Sequence, residues 1–283
     1  MVVALRPAAT RTAPRRAAAL TAALALLGLA ACGRTPPAPA ARAAATAAAP
    51  IAAHADHEQD RRYRIDIVYP ELPAGSEPLA AALRAYADQA RRAFMQTLEG
   101  GAAPDADIPW QLKLEFGVAA HTADFIGVRA RGGSYTGGAH ALPLVASFNY
   151  DVRERRVLAL GDLFADPAAA LRLLAAHARR ALGERAAHAA PDGSAPRPEA
   201  GDASLQRALA WIDEGTEPRP ANYAVFLIHA DPAGRADGLV LLFPPYQAGP
   251  YALGTQEVQV PAAAFAALLK PRYREAFATG PAP

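Results

Sequence analysis

The side chains with chemistry to offer are few and scattered over 283 residues. Cys32 is the only cysteine, so no disulfide can close within the chain. It ends the run Leu29-Ala30-Ala31-Cys32, small residues directly before a thiol, which reads as a lipobox: the chain is cut before Cys32 and a lipid joins its sulfur. Ser134, His140 and Asp151 can be written as nucleophile, base and orienting acid, but no Gly-x-Ser-x-Gly elbow surrounds Ser134 and nothing orients the base. His54, Asp56, His57 and Glu58 are metal-type donors at the end of an Ala/Pro-rich stretch, and they read as a solvated linker. His121, His177, His188 and His229 are dispersed. No Gly-rich phosphate loop leads into a helix, and no two carboxylates are placed for glycoside hydrolysis. The expectation is a non-enzymatic chain without cofactor or metal.

Two glycine-containing segments carry residues suited to binding. In the first, Tyr135, Thr136, Gly137, Gly138 and His140, the glycines supply positive backbone torsions for a tight turn after a strand. His140 is either a hydrogen-bonded structural histidine or a ligand-binding group. In the second, Tyr246, Gly249, Pro250, Tyr251 and Gly254 make a rigid aromatic loop between strands. Such a loop is either a packed corner or a recognition surface, since tyrosine contributes contact area at low entropy cost. Asn149 and Asp151 flank Tyr150 and read as capping or turn residues.

Stepping outward, residues 1–31 have the parts of a lipoprotein signal peptide. Arg6, Arg11, Arg15 and Arg16 precede an uncharged run from Ala17 to Leu29, which is shorter than the roughly 20 residues a membrane span needs. Gly33 replaces the aspartate that would signal inner-membrane retention, so a lipid anchor in the outer membrane, facing the periplasm, is expected. The formal charge of +2 owes four arginines to this segment, which holds no acid. The mature chain is therefore slightly acidic, and no nucleic-acid partner is expected. Residues 32–60, with Pro36, Pro37, Pro39 and Pro50 among alanines, read as a tether.

The folded part is expected over 61–278, as one domain or as two lobes, 61–131 and 132–278, with a tail at 279–283. Tyr63, Ile65, Ile67 and Tyr69 alternate as a half-buried strand. A helix capped by Ser76 puts Leu79, Leu83, Tyr86, Ala90, Phe94 and Leu98 on one face and ends at Gly100-Gly101. Strands follow at Leu112 to Val118, Asp124 to Arg131, Pro143 to Asp151 and Val157 to Leu160. Asp166-Pro167 starts a helix with Leu171, Leu174, Ala178 and Leu182 inward. A loop at 190–201 and a helix from Asp202 to about Glu214 precede strands at Tyr223 to Ile228, Leu239 to Phe243 and Glu257 to Val260, then a terminal helix opening at Pro261. Sequential hairpins interrupted by helices predict an α+β fold: an antiparallel sheet of meandering hairpins packed against a few helices.

Three segments together carry a resemblance: Ser134-Tyr135-Thr136-Gly137-Gly138-Ala139-His140; Phe148-Asn149-Tyr150-Asp151 continuing to Leu158-Ala159-Leu160-Gly161-Asp162-Leu163-Phe164; and Phe243-Pro244-Pro245-Tyr246 through Gly254. In order and spacing they resemble the RsiV/PdaC-type extracytoplasmic domain family, shared by a lysozyme-sensing anti-sigma factor and the N-terminal region of a peptidoglycan deacetylase. The likeness covers about Tyr63 to Lys270. It implies an envelope domain whose partner is a lysozyme-like muramidase or a peptidoglycan fragment, met by the loops around Tyr135 to His140 and Tyr246 to Gly254. Val152-Arg153-Glu154-Arg155-Arg156 departs from the family's Gly-containing turn. Cleavage before Cys32 would leave no cytoplasmic segment of the kind that precedes the anti-sigma factor's domain. The rivals to a binding module are a cell-wall hydrolase or deacetylase working through His140 and neighbouring acids, and a structural envelope lipoprotein.

Overall fold

The computed structural model describes residues 49–100, 108–188 and 198–277, with side chains from 203 onward in the last stretch. The signal peptide, Cys32, residues 33–48 of the tether, Gly101, most of the 190–201 loop and the tail lie outside the described residues. The fold is α+β, with nine strands in two sheets among the described residues.

The first sheet has six strands in sequence order: β1 (His54–Gln59), β2 (Tyr63–Tyr69), β3 (Trp110–His121), β4 (Phe125–Tyr135), β5 (Leu142–Asp151) and β6 (Arg156–Leu158). Every pairing is antiparallel except β2 with β3, which is parallel because helix α1 (Glu77–Gly100) carries the chain back between them. The alternation in β2 buries Tyr63, Ile65, Ile67 and Tyr69, and α1 covers that face with Leu79, Leu83, Phe94 and Leu98, all part of one apolar cluster. The Ser76 carbonyl accepts the N–H of Ala80 in the opening turn of the helix. Tyr86 and Ala90 sit at the margin of this core, half-buried.

The second sheet is β7 (Phe226–Ala230), β8 (Ala236–Phe243) and β9 (Gln256–Pro261), wholly antiparallel. Helix α2 (Pro167–His188) packs on it, with Leu174, Ala178 and Leu182 buried and Leu171 at the margin. The Asp166 carboxylate accepts from the N–H groups of Ala168 and Ala169 at 3.0 and 2.9 Å, so Asp-Pro caps this helix as its sequence suggests. Helix α3 (Pro198–Gly215) begins inside the stretch expected to be a loop.

Three expectations need correction. The tether does not extend to residue 60, because His54–Gln59 is the edge strand β1, registered from His54↔Tyr69 to Gln59↔Arg64, and Ile51 bridges Leu72. Its charged composition hides the strand, which is the usual way an exposed sheet edge is composed. Two lobes divided at 131/132 are contradicted by β4, which runs unbroken across that point. The terminal helix is two short pieces, α4 (Ala262–Phe265) and α5 (Pro271–Arg274), because Pro271 forces Lys270 into an extended conformation.

The two sheets are sewn together by side chains of β5. Asn149 donates to the Phe226 carbonyl at 2.7 Å and accepts from the Ile228 N–H at 2.8 Å, while the Ser147 hydroxyl accepts from the Phe226 N–H at 2.8 Å. Asn149 thereby stands in for a missing strand along β7, satisfying backbone groups that burial would otherwise orphan. Asp151 uses one oxygen to accept from the N–H groups of Arg153 and Glu154 and the other to accept from the Tyr273 hydroxyl at 2.9 Å. The turn it caps carries Arg155 at φ 51°, a left-handed position taken by a residue other than glycine. Asn149 and Asp151 are thus structural.

Candidate functional site: an aromatic cluster across two loops

The β4–β5 hairpin ends in a tip where Gly137 and Gly138 have φ of 94° and 93°. Nothing lies within 4 Å of a side chain placed there, so torsion alone demands glycine. The tip presents His140. The β8–β9 loop presents Tyr246 and Tyr251, and it is clamped on several sides. Trp211 of α3 donates its indole N–H to the Tyr246 carbonyl at 3.1 Å. Gln247 donates to the carbonyls of Gly215 and Asn222 at 3.0 and 2.8 Å, and Gln256 donates to that of Ala248 at 2.9 Å. Gly215 is required by close approach, since a Cβ there would fall 2.1 Å from the Gln247 carbonyl oxygen. Pro250 opens a 3₁₀ turn over Tyr251–Leu253, and Gly254 closes it at φ 64°.

The two loops meet through rings. His140 stacks on Tyr251 with centroids 3.9 Å apart and planes 13° from parallel, and Tyr246 lies 5.7 Å from Tyr251 and 6.1 Å from His140. His140 Nδ1 is 3.2 Å from the Ala141 carbonyl and Nε2 is 2.9 Å from the Tyr246 hydroxyl. A carbonyl can only accept, so Nδ1 carries the proton, Nε2 accepts, and the Tyr246 hydroxyl donates. Tyr246 holds φ at 72°, strained for a tyrosine, yet its side chain is 47% exposed. Around it Leu142, Leu253 and Trp211 are also exposed. The result is a prepositioned apolar face with polar tips, built from residues far apart in sequence.

Of the residues expected to bind, the structure unites His140, Tyr246 and Tyr251. Gly137, Gly138, Gly249, Pro250 and Gly254 shape the two loops. Tyr135 pairs with Gln111 at the end of β4 and joins none of the cluster's ring contacts, and Thr136 is half-buried beside it. Trp211 and Gln247 went unread in the sequence. The helix from Asp202 to about Glu214 turns Leu205, Leu209 and Ile212 to one side by their spacing, and a tryptophan one residue off that stripe is a signal for the first.

Two of the other constellations, Ser134 with Asp151 and His54 to Glu58, are not brought together. Ser134 faces Leu142 at one end of the β4–β5 ladder and Asp151 faces Phe125 at the other, nine residue steps or roughly 30 Å away. His54, Asp56 and Glu58 share one face of β1 through their pairing with Tyr69, Ile67 and Ile65, whereas His57 lies on the opposite face, 2.8 Å from Asp66. Glu58 accepts from the Tyr63 hydroxyl and from Arg91, and together these outweigh burial to hold its carboxyl below the usual range.

Comparison with known proteins fits this architecture. Residues 161–263 match the family described as "Protein of unknown function (DUF3298)". The match begins at Gly161, just before α2, and ends within α4, so it takes in the clamped β8–β9 loop. Peptidoglycan-N-acetylmuramic acid deacetylase PdaC of Bacillus subtilis strain 168 is 23% identical over 198 residues, 70% of this chain, and the chain spans 38% of that relative's length. A solved DUF3298 family protein from Pseudomonas aeruginosa PAO1 superposes with a TM-score of 0.52 at 16% identity, over 77% of this chain and 94% of that one. A DUF3298 structure from Bacteroides fragilis NCTC 9343 gives 0.49 at 14% identity, over 80% and 96%. These matches support the RsiV/PdaC-type resemblance read from the motifs, and the solved relative from Pseudomonas aeruginosa shares the α+β fold.

Proposed function

We propose that this protein is a non-enzymatic binding module of the cell envelope that recognises peptidoglycan fragments through His140, Tyr246 and Tyr251. One observation carries the reading: three rings from two loops are fixed against one another, partly by a strained backbone at Tyr246, with His140 and Tyr246 exposed and Tyr251 half-buried. The Tyr246 backbone is held in that conformation by the Trp211 indole and the Gly249 carbonyl, which keeps its exposed ring in place as suits a residue presented to a ligand. Sugar rings carry flat C–H faces and equatorial hydroxyls, which match an aromatic face edged by a tyrosine hydroxyl and an imidazole. The similarity to a peptidoglycan deacetylase supports the same ligand class, and Cys32 would fix the domain to the outer membrane within reach of the wall.

Cosedimentation with purified sacculi tests this: the mature domain pellets with sacculi, and Tyr246→Ala stays in the supernatant while melting normally. Equal pelleting of both would refute the assignment of the site. A lysozyme-like muramidase is the second reading, favoured by the exposed large apolar residues Leu142 at the start of β5, Leu253 in the β8–β9 loop and Trp211 of α3. Retention of lysozyme on the immobilised domain, competed by neither sacculi nor muropeptides, would favour it. Metabolic labelling with a fatty acid, abolished by Cys32→Ser, tests the anchor.

A further inference from the structure

At the far edge of the first sheet an open cleft of about 530 Å³ runs between β1 and α1, floored by Ile65 and Ile67. We propose that it binds a small zwitterion of dipeptide size, with its ammonium between Asp56 and Asp88 and its carboxylate on Arg91. Four observations lead there.

The volume lies within the range of small-ligand pockets. Asp56 and Asp88 line the cleft from opposite walls, one on β1 and one on α1, and among the described residues neither has an ion-pair partner. Tyr69 lines the cleft with them. Only 5% exposed, it is stacked between His54 at 4.3 Å and Phe116 at 5.2 Å, and it lines the cleft beside the two carboxylates. Burial, reinforced by those carboxylates, pushes its phenol up to about 12, so the hydroxyl stays protonated and able to hydrogen-bond. Further along the cleft, Glu58 accepts from Nε and one Nη of Arg91. A guanidinium has five N–H groups, so this pair fixes Arg91 and leaves its other terminal nitrogen unused by Glu58.

The spacing sets the ligand. Asp56 and Glu58 are two residues apart on one strand face, about 6.6 Å. Asp88 and Arg91 are neighbours one helical turn apart, with an axial rise of about 4.5 Å. The acidic end and the guanidinium therefore lie next to one another along the cleft, as the two charged ends of a small zwitterion do. Its side chains would lie on Ile65 and Ile67. This site is separate from the aromatic cluster, and its failure would leave the proposed function standing.

Titrating the zwitterionic dipeptide Ala-Leu into ¹⁵N-labelled mature domain tests the proposal. Saturable shifts are expected for residues of β1 and for Asp88 and Arg91. Binding should weaken about tenfold when the dipeptide is N-acetylated or when the protein carries Asp56→Asn with Asp88→Asn, and several-fold when it is C-amidated. Arg91→Lys, which keeps the charge beside Glu58, should bind more weakly than wild type but measurably. Absence of saturable shifts in folded wild-type protein up to about 10 mM, or equal binding of the capped dipeptides, would overturn it.

Discussion

Asn149 and Asp151 on one side, His140, Tyr246 and Tyr251 on the other, come from the same set of motif residues and fare differently. Asn149 is 1% exposed and spends its amide on β7 backbone, and Asp151 divides its carboxylate between a turn and Tyr273. Both are enclosed and fully partnered, as structural polar groups must be. The aromatic cluster is held as well, through loop carbonyls bonded by Trp211, Gln247 and Gln256, yet His140 and Tyr246 are exposed and Tyr251 is half-buried. A motif shared across a family can therefore hold the fold and the binding surface in alternating residues, and burial separates the two.

The largest expected effect lies on the structural side. Asn149→Ala leaves a buried Phe226 carbonyl and Ile228 N–H unpaired and should cost about 3 kcal/mol, lowering the melting temperature by roughly 6–12 °C for a domain of this size. Thermal denaturation followed by circular dichroism measures it, and a shift below about 2 °C would remove the sewing role assigned to Asn149.

Gly215→Ala sharpens the link between the two regions. Its Cβ would overlap the Gln247 carbonyl, so the β8–β9 loop must move, at a cost of about 2 kcal/mol. Because the same loop holds Tyr246 and Tyr251, sacculus binding should fall together with stability. Full binding by a destabilised Gly215→Ala protein would show that loop position does not matter.

A smaller effect belongs to the β1–α1 edge. The Tyr69 phenol is raised to about 12 in the folded state against about 10 unfolded, so between those values the folded protein holds the extra proton. Stability is fully present below pH 10 and falls as pH climbs through 12. Urea denaturation across that window should show the slope, and Tyr69→Phe should lessen it, the other buried phenols, Tyr223 among them, supplying the rest.

Much of this was legible in sequence because it follows from period. The alternation of Tyr63 to Tyr69 and the Asp166-Pro167 cap behave as their patterns require. β1 was not legible, since His-Ala-Asp-His-Glu-Gln is an exposed edge with no inward stripe to reveal it. Of the candidate site, the glycine turns and the three rings stood out as residue types. Their meeting did not, because 106 residues separate His140 from Tyr246 and only the tertiary fold closes that distance. Trp211 and Gln247 were hidden for the same reason: each acts through a carbonyl distant in sequence.

The smallest effect on stability bears on the central claim. Tyr246→Gly removes a ring but relieves a φ of 72° that a tyrosine tolerates poorly, so the protein should be unchanged or more stable by up to about 1 kcal/mol. Calorimetric titration of muropeptides into wild type and Tyr246→Gly, with melting temperatures measured on the same samples, is the most direct test. The account predicts that affinity falls at least about tenfold in a variant that melts no lower than wild type. Unchanged affinity in that folded variant would contradict it, and the aromatic cluster would then be only a corner that joins two loops.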